Sequence, residues 1–251
     1  MDPRSLKELE LLELAKLYGF AQAAAVAPSA PTAPAPMARE AVAPAPPLAI
    51  TAPMSLPADW DGLRAIVRDC TRCGLCRQRK QAVFGVGAER GPWLFVGEGP
   101  GAEEDEQGEP FVGQSGKLLD NMLAAIGLKR GRDAYIANVV KCRPPGNRTP
   151  TLEEAAACAP YLDAQIDLLQ PKLIVALGKV AAQRLLNTEA SLGSQRGNIH
   201  AYRGIPVVVT YHPSYLLRTL PEKAKAWEDL LYARRKMLEL TPARPHDRGA
   251  P

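Results

Sequence analysis

The chain has 251 residues, 46% of them hydrophobic and 23% charged, a makeup that excludes wholesale disorder and at this length leaves room for one or two domains. Its net charge of +4 permits a polyanionic partner without demanding one. No apolar run approaches the roughly 20 residues of a membrane span, and the opening MDPRSLKELELLELAK is unlike a secretory signal.

Residues 5–19 predict a helix. Ser5 can cap its start, Leu6, Leu9, Leu12 and Leu17 fall near one face, and Gly19 can end it. The segment 1–20 is therefore read as a helix able to dock a protein partner. Residues 21–57 are mostly Ala and Pro, too poor in buriable apolar surface to offset the entropy of ordering. They read as a disordered linker able to span roughly 100 Å at about 3.1 Å per residue. The folded domain is expected over 58–240, with 241–251 as a flexible tail.

Within that domain, 93–96 (WLFV) predicts a strand and 116–126 a helix with Leu118, Leu119, Met122 and Leu123 inward. A second strand follows at 134–140. Thr151-Leu-Glu-Glu154 is a capping box opening a helix through Leu169. Strands are expected at 173–177 (LIVAL) and 205–210 (IPVVVT), and a last helix at 223–238. Alternating strands and helices predict an α/β layer fold with a mainly parallel sheet. Ligands of such sheets sit beyond the carboxyl ends of the strands, which directs attention to 97–105, 141–150 and 211–217.

Each of those segments carries a motif. Cys70, Cys73 and Cys76 form C-x2-C-x2-C, with Cys142 and Cys158 far downstream. An odd cysteine count in a chain without an export signal reads as metal binding, not as a disulfide framework. A ferredoxin run would need another Cys at position 80, where Lys80 stands. A single site held by two distant pairs fits better, and spacing alone leaves zinc and a 4Fe–4S cluster both open. Gly97-Glu-Gly-Pro-Gly101 departs from the dinucleotide fingerprint, and the acidic Glu103–Glu106 that follows would repel a pyrophosphate. His212-Pro-Ser follows the last strand, a setting that His200 and His246 lack.

Together these segments resemble the iron–sulfur (family 4) uracil-DNA glycosylases. The matching residues are Cys70-Thr-Arg-Cys73, Val96-Gly-Glu-Gly-Pro-Gly-Ala-Glu-Glu-Asp105, Pro110-Phe-Val-Gly113, Asn138-Val-Val-Lys-Cys-Arg-Pro-Pro145, Asn147-Arg148 and His212-Pro-Ser-Tyr-Leu-Leu217. They occur in the family's order through most of 65–238. The resemblance implies a three-layer α/β/α fold around a central four-stranded parallel sheet. It also implies a 4Fe–4S cluster on Cys70, Cys73, Cys142 and Cys158, leaving Cys76 over.

For the chemistry, it implies a uracil flipped out of DNA, because the bond is out of reach inside the stack. Gly99, Phe111, Asn138 and His212 would then bind the base. Phe111 would stack on it, and Asn138 would read O4 and N3 with one acceptor and one donor. His212 would donate to O2 of the departing uracil anion. Glu98 and Glu104 are the candidates for handling water. Leu216 would fill the gap left in the DNA, and Lys141, Arg143, Arg148 and Arg218 would contact phosphates. A monomeric DNA-repair hydrolase in the cytoplasm is the expectation. A uracil-DNA cross-linking relative and a redox iron–sulfur protein are the alternatives.

Overall fold

The computed structural model describes residues 55–241. The expected terminal helix, the linker up to residue 54 and the tail past Thr241 lie outside the described residues. In chain order the elements are α1 (Trp60–Arg68), a 3-10 turn (Gly74–Arg77), β1 (Val86–Gly87), β2 (Trp93–Gly97), α2 (Ala102–Gln107), α3 (Gln114–Ala125) and β3 (Ala134–Asn138). Then come a second 3-10 turn (Pro145–Asn147), α4 (Leu152–Leu169), β4 (Leu173–Leu177), α5 (Lys179–Leu186), α6 (Leu192–Gln195), β5 (Ile199–Tyr202), β6 (Ile205–Thr210), α7 (Pro213–Arg218) and α8 (Glu222–Leu240).

The strands form one sheet in the order β1-β3-β2-β4-β6-β5. The inner four are parallel, as expected, and the sheet is wider than expected by two short antiparallel edges, β1 and β5. β2, β3 and β4 are buried at every position. That is why they read as unbroken apolar runs: helices cover both faces of a parallel sheet.

Side chains of a strand alternate between those faces. Leu94 and Val96 point into one core with Leu63 and Val67 of α1, Tyr161 and Leu162 of α4 and Ala181 of α5. Trp93 and Phe95 point into the other with Leu119 and Leu123 of α3 and Leu230 and Ala233 of α8. The result is a three-layer α/β/α sandwich. Among the described residues no helix is long and apolar enough to cross a membrane.

Local chemistry sets the element ends that matter. Thr151 accepts from the Glu154 amide at 3.2 Å while the Glu154 carboxylate accepts from the Thr151 amide at 2.8 Å, the expected capping box, a cap worth about 1 kcal/mol. The register pairs Gly97 of β2 with Asn138 of β3, so two of the expected binding segments leave the sheet side by side.

Candidate active site

Beyond the carboxyl ends of β2, β3 and β6 lies a cavity of about 410 Å³. Glu98, Gly99, Glu104, Phe111, Asn138, Arg148, His212 and Arg218 all line it. Residues distant in sequence thus meet at one place, as the sheet topology requires.

Asn138 ends β3 and is 2% exposed. Its Oδ1 is buried without a hydrogen-bond partner. A buried amide oxygen left unpaired costs about 1–3 kcal/mol, so its place at a cavity wall marks it for a ligand. Gly97 makes room for it. A Cβ at 97 would collide with Asn138 Oδ1 and come within 2.6 Å of the Phe111 ring. Phe111 itself is buried, sits in the left-handed region at φ 56°, and stacks on His212 with ring centroids 5.5 Å apart. The wall therefore offers a flat apolar face beside an amide edge, a fit for a planar heterocycle with adjoining donor and acceptor groups.

His212 caps the start of α7. Its Nδ1 accepts from the Ser214 amide at 3.2 Å and lies 2.8 Å from the Ser214 hydroxyl. A backbone N–H can only donate, so Nδ1 carries the lone pair and the neutral ring bears its proton on Nε2. Burial lowers the His212 pKa to about 4, the Arg218 cation adds to this, and the Glu104 carboxylate opposes it. At neutral pH the ring is an uncharged donor.

The two candidate carboxylates differ. Burial pushes the Glu98 carboxyl up from its ordinary value, and a hydrogen bond with Thr149 pulls it back. Its group remains available at the cavity wall. Glu104 is already occupied: Oε2 accepts from the Gly101 amide at 3.0 Å, and Oε1 from the Val112 and Gly113 amides at 3.0 and 3.2 Å. With three backbone donors on it, Glu104 organises the loop around Phe111.

Two expectations change. Leu216 is 1% exposed and packed in the core, on a helix that lies against α3, so it does not face DNA, whereas its neighbour Leu217 is 41% exposed. Lys141 is 1% exposed, with Nζ donating to the Asn138 carbonyl at 2.9 Å and to Gln165 Oε1 at 2.5 Å. It braces the end of β3 and is out of reach of a phosphate. The arginines do reach the surface: Arg218 is exposed, Arg148 forms a forked ion pair with Glu154, and Arg143 donates to Asn147 at 2.7 Å. Ser115 and Thr149 join the site without having been singled out, and so does Ser214 of the His212-Pro-Ser motif in the role of partner to His212. Thr149 directly follows the Asn147-Arg148 motif, which was the available signal.

The cysteines gather elsewhere. Cys70, Cys73, Cys76, Cys142 and Cys158 line a second, smaller cavity with Arg79 and Tyr161. Arg79 Nη1 lies 2.9 Å from Cys142 Sγ, and the amides of Arg72 and Lys141 approach Cys70 and Cys158 at 3.5 and 3.3 Å. All five thiols are free of disulfides. Among the described residues no three Cys, His, Asp or Glu side chains converge closely enough for a single metal ion. Thiols from three segments lining one cavity, with N–H donors and an arginine beside them, are a donor set that would suit an iron–sulfur cluster.

The chain matches the family model described as Uracil DNA glycosylase superfamily over residues 84–231. It is 41% identical over 180 residues to a type-4 uracil-DNA glycosylase of Pyrobaculum aerophilum, covering 68% of this chain and 91% of that protein. A type-4 uracil-DNA glycosylase of Thermotoga maritima is 50% identical over 154 residues, 61% of this chain and 80% of its own. One of Archaeoglobus fulgidus is 43% identical over 168 residues, 62% and 84%.

Proposed function

The chain belongs to the uracil DNA glycosylase superfamily, and on that premise we propose that its cavity takes a uracil flipped out of DNA and that it hydrolyses the N-glycosidic bond, giving free uracil and an abasic site. The observation that carries this reading is the buried, unpartnered Oδ1 of Asn138 beside the Phe111 ring. An amide presents an acceptor and a donor together, the complement of uracil N3–H and O4. Cytosine presents the opposite pattern and would leave both groups unpaired.

The steps follow from the groups present. Flipping costs about a few kcal/mol, and the exposed Leu217 is the side chain able to fill the vacated stack. Phe111 receives the base face, and Nε2–H of His212 donates to O2 as negative charge develops on the ring. A neutral donor avoids the cost of burying an imidazolium. Glu98, partly buried and free of backbone donors, holds the attacking water. Arg143, Arg148 and Arg218 rim the approach and bind phosphates. The enzyme acts on DNA in the cytoplasm, as a monomer. Incubating it with uracil-containing and thymine-mismatched DNA tests the assignment: free uracil and abasic sites from the first alone support it, and neither product from either DNA rejects it.

Arg143 does not itself line the base site, although it donates to Asn147, which does, and it isolates the electrostatic contribution. Arg143→Gln is expected to lower affinity for all sequences alike and to reduce the slope of log affinity against log salt by about one. Binding titrations at several salt concentrations measure it.

Cys70, Cys73, Cys142 and Cys158 would hold a 4Fe–4S cluster. Hydrolysis of the N-glycosidic bond involves no redox change, so the cluster would serve as a cross-link between the segment after α1, the segment after β3 and α4. Cys158→Ser is expected to abolish the brown colour and lower the unfolding temperature together, while Cys76→Ser keeps both. Visible absorbance and thermal unfolding of the two variants distinguish the ligand from the spare thiol.

A further inference from the structure

Phe111 holds a backbone conformation that an aromatic residue rarely adopts, φ 56°. It has no side-chain hydrogen bond to compensate, so the surroundings must impose it. Two charged side chains do so from opposite sides. Arg130 donates from Nη1 to the Pro110 carbonyl and from Nη2 to the Phe111 carbonyl, each at 2.8 Å. Glu104 accepts from the next two amides, Val112 and Gly113. Four consecutive residues thus have backbone groups held by one guanidinium and one carboxylate. Gly116 closes a third side, since any Cβ there would collide with the Phe111 carbonyl.

Arg130 is itself fixed. Its Nε donates to Asp120 of α3 at 2.7 Å, its side chain is 17% exposed, and it bridges to Ala134 at the start of β3. It does not line the cavity. We propose that Arg130 is a positioning residue for base recognition: with Glu104 it clamps the 110–113 turn so that the Phe111 ring stands over Gly97 and beside Asn138, ready for the base. Only a guanidinium can serve, because its fixed fork reaches two carbonyls and a carboxylate at once, and a lysine ammonium lacks that geometry.

This inference rests on the proposed uracil-excision reading, and a double-mutant cycle in the full chain tests the two separately. Single-turnover uracil release is measured for the wild type, Arg130→Met, Phe111→Ala and the double variant, with abasic-DNA affinity and unfolding temperature alongside. Arg130→Met is expected to slow release about 100-fold, the scale of a misplaced reacting group, with abasic-DNA affinity unchanged. Added to Phe111→Ala it is expected to cost nothing further, because its effect passes through that ring. Arg130→Lys is expected to restore little.

Losses that add in the double variant overturn the clamp, as does an Arg130→Met protein as fast as wild type. A wild type that releases no uracil overturns the excision reading and the inference with it. Should Arg130→Met fail to fold, Asp120→Asn loosens the same guanidinium and enters the same cycle. About 10-fold slower release that vanishes in the Phe111→Ala background supports the clamp, and an additive loss or none overturns it.

Discussion

An Asn138→Ala enzyme is expected to release uracil at least about 100-fold more slowly than wild type, with the fold intact. Removing one aligned donor from such a site costs about 100- to 1,000-fold, and this change removes an acceptor as well. The fold should survive because Oδ1 has no internal partner to lose. The new methyl group also sits at a cavity wall, where no packed neighbour is displaced. Asn138→Asp sharpens the test. An ionised carboxylate keeps the shape but replaces the donor with a second acceptor, which would face uracil O4 unfavourably. Both variants should keep their affinity for abasic DNA, measured by binding titration, because phosphate contacts carry most of it. Uracil release at the wild-type rate by either variant would sink the recognition assignment.

His212→Ala is expected to slow the chemical step by about 100- to 1,000-fold while leaving DNA affinity nearly unchanged, since its donor matters as charge develops on the leaving base. The pH dependence is a second reading of the same residue. The ring pKa is about 4 in the fold, against an ordinary 6.5. The active neutral form therefore persists well into the acid range, and the histidine limb of the single-turnover profile should fall near pH 4. A limb at 6.5 would mean a solvated ring and contradict the buried, Ser214-anchored geometry.

Stability responds over the same window. As pH drops below 6.5 an unfolded chain takes up a proton that the fold refuses, so this contribution is full above 6.5 and is lost progressively down to about 4. His212→Gln should flatten that part of a stability-versus-pH curve measured by thermal unfolding.

The central strands were legible because burial on both faces writes an unbroken apolar run, as in LIVAL of β4. The edges were not: β1 has only two residues, and β5 alternates between exposed and half-buried positions. α2 and α7 have six residues each, too few for a helical period to show in the sequence. Pro213, directly after the capping His212, stands at the first position of α7, where its fixed φ suits a helix start.

The same short helix explains the Leu216 correction. Adjacent residues on a helix point about 100° apart, so which leucine faces outward depends on a phase that only the folded backbone sets. Glu104 was a candidate for handling water only through the family resemblance. Its real partners are three backbone amides, and main-chain donors leave no mark in a sequence. Arg130 gave no sign at all, since its acceptors are carbonyls at positions 110 and 111.

The order of the strands also bears on how the protein is made. β2 occupies the middle of the sheet, yet its partners are β3 and β4, with Trp93 against Leu173, and its outer face is covered in part by α8. A chain emerging from the ribosome therefore exposes its stickiest segment early and must wait for nearly the whole domain before that segment is covered. Such non-local pairing slows folding and invites aggregation. The thiols emerge on the same schedule, Cys70 and Cys73 long before Cys158. Iron delivered to the nascent chain would meet half of the proposed ligand set, which is complete only once Cys158 of α4 has been made.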